Sequence, residues 1–252
     1  MLATRAVTIA TGAGGPNSWR GQALSVDVLH SVSGVATQIL VGFADRSLLV
    51  DVGDGCLRDL LARDHDLGGL AALVFTHGHY DHIGGLHSLL GFLRARGRTQ
   101  PLTVIGPRGC AELWSSLDTF QRCYPDSVPF GIARTQLEAG DTVAVGQSTL
   151  TAFGVVHSGS ILGGKVLDAI PALGYRLGFG GETVAFTGDT GKCDSLTQLV
   201  SGADLAVIEA TLPNSAGVAP ELLERVHLST DLAHELGKLA KHYLLVHQRR
   251  QG

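Results

Sequence analysis

Short apolar runs alternate along the chain with leucines spaced as on one face of a helix. Leu73-Val74-Phe75 is typical of a buried strand, and the leucines from Leu86 to Leu93 recur three and four residues apart, which indicates a helix. These patterns predict an α/β protein. The other predicted strands are 6–10, 36–43, 47–52, 101–105, 148–156, 174–179, 183–186, 205–208 and 243–246, with helices after Asp54, at 108–117 and at 230–241, and a hairpin at 135–145 around Ala139-Gly140-Asp141. Residues 17–34 are hard to assign, and only 23–30 show some alternation of apolar and polar positions.

The composition indicates a folded protein with a substantial core. Of the 252 residues, 44% are hydrophobic and 17% are charged, which excludes extended disorder. No linker-like change in composition divides the chain, so residues 1–252 are predicted to form a single domain. The net charge of −4 provides no global basic field for a long nucleic acid, so a large polyanionic partner is not favoured.

The amino terminus and the cysteines bear on the compartment. Residues 1–5 lead into the first predicted strand without a long apolar signal region, and no run of about 18 apolar residues suggests a membrane span. We therefore expect a cytoplasmic protein with no membrane partner. Four scattered cysteines without a C-x-x-C pair favour free thiols in a reducing cytosol: Cys56, Cys110, Cys123 and Cys193.

Three histidines and one aspartate lie within six residues: His77, His79, Asp81 and His82. They follow the strand that ends at Phe75 and precede the helix near Leu86, a position where open α/β sheets place their sites. Imidazole and carboxylate both bind zinc and similar divalent ions, and alternate side chains of a loop can converge on one point. One such residue would indicate only a polar turn, but four at this spacing predict a metal site.

Three further residues stand in equivalent places. His157, Asp189 and His247 each come directly after a predicted apolar strand or within a few residues of its end. Any one of them alone would more often be a structural, hydrogen-bonded residue than a metal ligand. Together they supply the same donor types from the same kind of position.

The pattern His-x-His-x-Asp-His after an apolar strand resembles the signature of the metallo-β-lactamase superfamily, which residues 77–82 match residue for residue. The resemblance implies a four-layer αββα sandwich with a metal pair between the edges of its sheets. The superfamily order then continues with His, Asp and His. The implied ligand set is His77, His79 and His157 for one metal, Asp81, His82 and His247 for the other, and Asp189 as the bridge between them.

The resemblance also implies the chemistry. Two divalent ions about 3.5–4 Å apart share a bridging hydroxide and polarise the electrophile. We expect zinc, with manganese or iron as alternatives. Asp81 is expected to accept the proton of the attacking water as well as binding metal, and Asp51 to order the metal loop rather than bind metal itself. The remaining histidines are expected at the surface or in helix packing: His30, His65, His87, His234 and His242.

Further motifs resemble the ribonuclease Z-like branch of the superfamily. Ile208-Glu209-Ala210-Thr211 and His227-Leu228-Ser229-Thr230 match elements whose Glu and His act near the scissile bond. The resemblance therefore implies that Glu209 holds a protonated His227, which stabilises phosphoryl oxygens or protonates the leaving alkoxide. The alternative for His227 is a solvent-facing neighbour of a helix cap. The resemblance also suggests a homodimer.

Two features depart from that branch. Tyr80 stands where ribonuclease Z usually has glycine. Only 189 − 176 = 13 positions separate Arg176 from Asp189, where the tRNA-processing enzymes insert a long arm that grips tRNA. The sequence assigns no role to residues 17–34, and residues 158–172 are expected at most to border the substrate pocket.

The sequence thus predicts a dinuclear metal-dependent hydrolase that acts on a small or nucleotide-like phosphodiester through a metal-bridging hydroxide. One alternative is a ribonuclease Z-type tRNA 3′-endonuclease. Another is a hydrolase of a different ester, such as an aryl sulfate or a lactone, since the same metal pair supports it. A third is a metal-binding protein without catalytic activity.

Overall fold

The computed structural model describes residues 5–7, 17–159, 161–162 and 165–249. Within these ranges it contains sixteen strands and seven α-helices. The strands are β1 Arg5–Val7, β2 Asn17–Arg20, β3 Leu24–Val32, β4 Ala36–Phe43, β5 Arg46–Val52, β6 Leu70–Val74, β7 Leu102–Pro107, β8 Ile132–Leu137, β9 Thr142–Val145, β10 Ser148–Gly154, β11 Ile161–Leu162, β12 Lys165–Val166, β13 Leu173–Phe179, β14 Glu182–Phe186, β15 Leu205–Glu209 and β16 His242–Val246. The helices are α1 Cys56–Leu61, α2 Tyr80–Ile83, α3 Leu86–Ala95, α4 Ala111–Cys123, α5 Ser195–Val200, α6 Pro220–Arg225 and α7 Thr230–Gly237.

Fourteen of these strands form two seven-stranded sheets. The first sheet has the order β2-β3-β4-β5-β6-β7-β8, and the second has the order β1-β16-β15-β14-β13-β10-β9. Each sheet combines antiparallel hairpins with parallel strands that are connected through helices. The short β11–β12 ribbon stands apart from both sheets.

Three clusters of buried apolar side chains separate four layers. The two sheets pack on each other through side chains such as Val41 and Tyr175. Leu89 belongs to the cluster between the first sheet and α1, α3 and α4, and Leu199 to the cluster between the second sheet and α5 and α7. This arrangement confirms the predicted αββα sandwich.

The apolar patterns located most elements well. Strand β4 begins and ends where the sequence predicts, because it is buried by the core on one face and by helices on the other. The predicted hairpin at 174–186 is confirmed as β13 and β14. Its turn consists of Gly180 and Gly181, both with positive φ, as a two-residue type I′ hairpin turn requires.

The predicted hairpin at 135–145 is wrong. Strand β8 pairs in parallel with β7 in the first sheet, whereas β9 pairs with β10 in the second. The segment around Gly140 does turn, with the Gly140 N–H donating to the Ala152 carbonyl, but it carries the chain from one sheet to the other. A turn signal indicates where the chain bends and not which strand lies beside it, so the pattern could not reveal this crossover.

Other boundaries also differ from the prediction. Helix α4 begins at Ala111 and continues to Cys123, and α7 ends at Gly237 instead of 241. Short elements without a long apolar pattern were missed, namely β2, α2, α5, α6 and the β11–β12 ribbon. The first predicted strand is present as Arg5–Val7, and its remainder at 8–10 lies outside the described residues.

None of the helices in the described ranges is long and apolar enough to span a membrane. All four cysteines carry free thiols.

Glu182 joins the two sheets at one end of the sandwich. It lies at the start of β14 in the second sheet, and its carboxylate accepts the backbone N–H groups of Gln22, Ala23 and Leu24, which lead into β3 of the first, at 2.7, 2.8 and 2.9 Å. Burial would raise the pKa of Glu182, but these three donors outweigh it and lower the pKa. The ionised carboxylate therefore stabilises the folded state.

We predict that Glu182→Gln lowers the free energy of unfolding by about 1 kcal/mol at neutral pH, because a charged acceptor of three hydrogen bonds is lost at a solvent-screened site. A carboxyl whose folded pKa is depressed stabilises above its unfolded pKa of about 4.3, and this stabilisation disappears as the pH falls through the folded value. The difference between wild type and variant should therefore shrink below about pH 4. Urea denaturation over a pH series measures it.

Glu235→Gln is the matched control, since Glu235 is an exposed helix residue whose carboxylate pairs with Lys238. It should change the free energy of unfolding by less than about 0.5 kcal/mol. Equal effects of the two substitutions would contradict the role assigned to Glu182.

Candidate metal centre

The first four candidate ligands lie in the loop between β6 and α2 and in α2 itself, with His77 and His79 in the loop and Asp81 and His82 in the helix. Asp51, a buried residue near the end of β5, fixes the conformation of this loop. The Asp51 carboxylate accepts the Thr76 N–H at 2.8 Å, the Thr76 hydroxyl at 2.9 Å and the His82 Nδ1–H at 2.7 Å. Asp51 has a φ of 59°, a conformation that is costly for a residue other than glycine and that often occurs at functional sites. The structure therefore gives Asp51 the predicted loop-ordering role.

Three imidazoles converge at the first part of the site. The Nδ1 atom of His79 lies 3.1 Å from Nε2 of His77 and 3.1 Å from Nε2 of His157. His77 and His79 come from the loop after β6 in the first sheet, and His157 follows β10 in the second. Both sheets thus contribute to one cluster of ring nitrogens.

The outer nitrogen of each ring is held by an oxygen atom. His79 Nε2 donates to the Gly159 carbonyl at 2.9 Å, and His157 Nδ1 donates to the Val226 carbonyl at 2.8 Å. His77 Nδ1 lies 3.0 Å from the Thr76 hydroxyl, which itself donates to Asp51 and so accepts from the imidazole. These bonds place the ring protons on the outer nitrogens and direct three lone pairs toward one point.

Asp81, His82 and His247 form the second part of the site. His247 Nε2 lies 3.2 Å from Asp81 Oδ2, and His82 Nε2 lies 3.9 Å from the same oxygen. His247 Nδ1 meets the Thr211 hydroxyl at 2.8 Å, and that hydroxyl donates to the His247 carbonyl, so it accepts from the ring. The Nε2 lone pairs of both imidazoles are thereby left for a common partner.

Asp189 lies between the two groups. Its Oδ2 atom is 3.4 Å from His82 Nε2 and 3.9 Å from Nε2 of both His77 and His157. Its Oδ1 atom is 3.3 Å from His247 Nδ1. One buried carboxylate therefore contacts members of both groups, as a bridging ligand must.

The donor set fits divalent cations. Four overlapping groups have ligand atoms within 4.8 Å of one another, and they include all seven predicted ligands together with His227. His82 Nε2 is buried and has no hydrogen-bond partner among the described residues, although it faces two carboxylates. A cation would satisfy this atom, because neutral imidazole and carboxylate are typical zinc ligands.

The charge balance of the site agrees with this fit. Burial lowers the pKa of His157 to about 4 and lowers that of His77 well below its ordinary value, so both rings are neutral at physiological pH. Burial would also lower the pKa of His82, but the Asp189 and Asp51 carboxylates outweigh it and raise the pKa. Carboxylates on both sides of His82 therefore favour a positive charge at this position.

A buried ion pair lies beside these residues. His227 Nδ1 is 3.0 Å from Glu209 Oε1 and 4.0 Å from Asp189 Oδ2. Burial disfavours the charged imidazole, but the Glu209 carboxylate and its hydrogen bond outweigh that effect and raise the pKa of His227 to about 9. Because 16% of the His227 side chain remains exposed, the ring is open to a bound molecule.

Glu209 is itself fixed by the backbone. Its carboxylate accepts the N–H groups of Thr190 at 3.2 Å, Thr211 at 2.9 Å and Leu228 at 2.9 Å. Burial is nearly complete, with 1% of Glu209 exposed. The solvent-facing alternative for His227 is therefore wrong, because the ring is held against a buried acid.

Helix α6, which the sequence did not reveal, positions both His157 and His227. Its last residue precedes Val226, whose carbonyl binds His157 Nδ1, and His227 follows directly. The helix lies against Gly191, where a Cβ atom would come within 2.4 Å of the Glu224 backbone. Only glycine allows this close approach.

A cleft of about 510 Å³ adjoins the first group of ligands. His79 and Glu112 line one part of it, and Gly159 with residues 165–170 lines the rest. Gly159 and residues 165–170 thus border the site, which is the position expected for the segment 158–172.

The structure brings all of the predicted site residues together. The sequence analysis did not identify several supporting groups. Among them are Thr76, which directly precedes the motif at 77–82, and Thr211, which lies within the motif at 208–211; the hydroxyls of both orient ligands. The Val226 carbonyl and the Gly34 N–H carry no sequence signal, because any residue supplies a backbone group. The Gly34 N–H donates to Asp81 Oδ2 at 2.9 Å.

Known proteins resemble this chain over most of its length. Ribonuclease BN from Citrobacter koseri is 28% identical, over 77% of this chain and 74% of that protein. The metallo-beta-lactamase fold protein YhfI from Bacillus subtilis superposes with a TM-score of 0.71 and 21% identity, covering 91% of this chain and 87% of that one. Human tRNase Z, short form, gives a TM-score of 0.70 and 21% identity, covering 89% and 93%.

The family assignment rests on the sequence itself. The sequence model of the beta-lactamase superfamily domain matches residues 46–247, which include all of the candidate ligands. The chain therefore belongs to the β-lactamase superfamily, a family of hydrolases.

Proposed function

We propose that this protein is a dinuclear metal-dependent phosphodiesterase acting on a small or nucleotide-like phosphodiester. The observation that carries the proposal is the convergence of two ligand groups on Asp189, with the Glu209–His227 pair directly beside them. In the proposal His77, His79 and His157 hold one cation, Asp81, His82 and His247 hold the other, and Asp189 bridges them.

Two divalent cations at such a site lower the pKa of water and neutralise the charge that develops on a phosphoryl group. Zinc suits this mixture of imidazole and carboxylate, and manganese or iron suits it as well. The chain contributes the orientation of the donors. Four of the five rings are fixed before a cation arrives by the Gly159 and Val226 carbonyls and the Thr76 and Thr211 hydroxyls, and the fifth, His82, by Asp51, which raises affinity.

Asp81 is the carboxylate proposed to accept the proton of the attacking water. Burial would raise its pKa, but the neighbouring His247 and His82 rings outweigh burial and lower it. Asp81 is therefore ionised at neutral pH, which is the form that both binds a cation and accepts a proton.

His227 is proposed to act on the phosphate or on the leaving group. With Nδ1 bound to Glu209, the protonated ring has its Nε2–H free to donate to a phosphoryl oxygen or to the departing oxygen. The Glu209 carboxylate keeps the ring charged and fixes its orientation. This pairing of a general acid with a metal centre favours a phosphodiester, whose alcohol is a poor leaving group without a proton.

A tRNA 3′-endonuclease is the second candidate. Its support is the similarity to ribonuclease BN and to human tRNase Z reported above. Against it, β13, a two-residue turn and β14 fill the interval between Arg176 and Asp189, and the net charge is −4. Binding of a long polyanion requires many contacts between basic side chains and phosphates, so a small substrate fits this chain better.

Comparison of substrates tests the proposal. The protein loaded with zinc or manganese should hydrolyse bis(p-nitrophenyl) phosphate faster than p-nitrophenyl sulfate or a lactone, and it should leave precursor tRNA uncut even at low salt. Preferred hydrolysis of the sulfate or the lactone would establish a different ester as substrate. Salt-sensitive cleavage of precursor tRNA would establish the endonuclease instead.

Replacing His227 tests its role in catalysis. His227→Ala should lower kcat by about 10²-fold or more with metal content unchanged, because a positioned proton donor contributes about that much. The loss should be larger for a dinucleoside phosphate than for the nitrophenyl ester, since an alkoxide needs the proton more than nitrophenolate does. In wild type, kcat should fall as the pH rises toward the pKa of His227, about 9, and the variant should lack this dependence.

His242→Ala is the matched control, because His242 is exposed at the start of β16. It should retain wild-type kcat. An unchanged kcat in His227→Ala would remove the residue from the mechanism without affecting the metal assignment.

A further inference from the structure

Tyr80 combines high exposure with a specific hydrogen bond. It stands between His79 and Asp81 as the first residue of α2, and 66% of its surface is exposed. Its hydroxyl nevertheless donates to the Gly34 carbonyl in the turn between β3 and β4. A surface tyrosine could hydrogen-bond to water alone, so this bond to a backbone carbonyl 46 residues away indicates a structural role.

Gly34 also contacts Asp81, one of the proposed metal ligands. While the Gly34 carbonyl accepts from Tyr80, the Gly34 N–H donates to Asp81 Oδ2 at 2.9 Å. Gly34 has a φ of 69°, which suits glycine and allows both groups to face α2. Tyr80 and Asp81 are therefore linked through one residue of the first sheet.

The end of β3 and the turn that follows it also contact His247, a second proposed metal ligand. The His247 N–H donates to the Ser31 hydroxyl at 2.9 Å, and the Ser33 N–H donates to the Gln248 carbonyl at 3.2 Å. His247 has a φ of 55°, so its backbone holds an unfavourable conformation that these bonds help to maintain. The segment from Ser31 to Gly34 thus reaches Asp81 on one side and His247 on the other.

The main chain of Asp81 is fixed separately. Gly53 lies so close that a Cβ atom there would come within 2.4 Å of the Asp81 carbonyl. A fixed backbone does not by itself set the χ1 angle of Asp81, so the orientation of this buried carboxylate depends on its side-chain contacts. The Gly34 N–H is the contact that directs Oδ2 toward His247 Nε2, 3.2 Å away.

We propose that Tyr80 is a positioning residue for the cation held by Asp81, His82 and His247. Its hydroxyl anchors the segment from Ser31 to Gly34, and the anchored segment sets the geometry of Asp81 and His247. This inference rests on the proposed two-cation site. It also gives a role to the end of segment 17–34 and to the tyrosine at a position where ribonuclease Z usually has glycine.

The test is the affinity of each cation site in Tyr80→Phe, a change that removes only the hydroxyl. Zinc titration against a chromophoric chelator gives two dissociation constants, and His157→Ala and His247→Ala identify which ligand group each constant belongs to. Tyr80→Phe should raise the constant of the second group by about 10-fold, the size of effect expected when a group that orients a ligand is lost. The constant of the first group and the melting temperature of the metal-free protein should not change.

Tyr124→Phe is the matched control. Tyr124 is also exposed and follows α4, where it packs against Phe120 and Arg94. This variant should keep both dissociation constants at their wild-type values.

Three results would overturn the inference. Unchanged constants in Tyr80→Phe would show that the hydroxyl does not position the site, and equal weakening of both sites would show a general structural role. If Tyr80→Phe is normal but Tyr80→Ala raises KM alone, the ring contacts substrate instead. Wild-type protein that binds fewer than two cations would contradict the proposed function itself. Failure of the proposed function can therefore be distinguished from failure of the Tyr80 inference.

Discussion

The candidate site depends on the way two separate sheets pack against each other. The loop at 76–82 belongs to the first sheet, and His157, Asp189 and His247 belong to the second. Asp189 has to reach imidazoles from both, with distances of 3.3–3.9 Å to four of them. Sliding one sheet over the other would separate the Asp189 oxygens from the ring nitrogens of the first sheet.

The apolar core between the sheets supplies most of the stabilisation, but it is not directional. Specific hydrogen bonds across the interface fix the position of one sheet against the other near the site. The Tyr175 hydroxyl of β13 donates to the Phe75 carbonyl at 2.8 Å, and the Leu173 N–H donates to the Thr76 carbonyl at 2.9 Å. Both bonds hold the start of the metal loop from the opposite sheet. Burial thus provides stability, and a few hydrogen bonds provide the precision that a metal site requires.

The sequence reveals the ligands much better than it reveals their arrangement. His77, His79, Asp81 and His82 are recognisable because four strong donors in six residues are rare in packing. His157, Asp189 and His247 are recognisable because each follows an apolar strand. The crossover between β8 and β9 was missed, because a turn around Gly140 fits a hairpin equally well. The hydrogen bond between Tyr80 and Gly34 could not be predicted, because its acceptor is a backbone carbonyl and the two residues are 46 positions apart in the sequence.

The central claim is that both ligand groups hold a cation at the same time, with Asp189 between them. Anomalous diffraction from a crystal of the zinc-loaded protein, recorded above and below the zinc edge, tests this directly. We predict two peaks, one contacted by His77, His79 and His157 and the other by Asp81, His82 and His247, with the Asp189 carboxylate touching both. A single peak, or an Asp189 side chain turned away from the ions, would contradict the account.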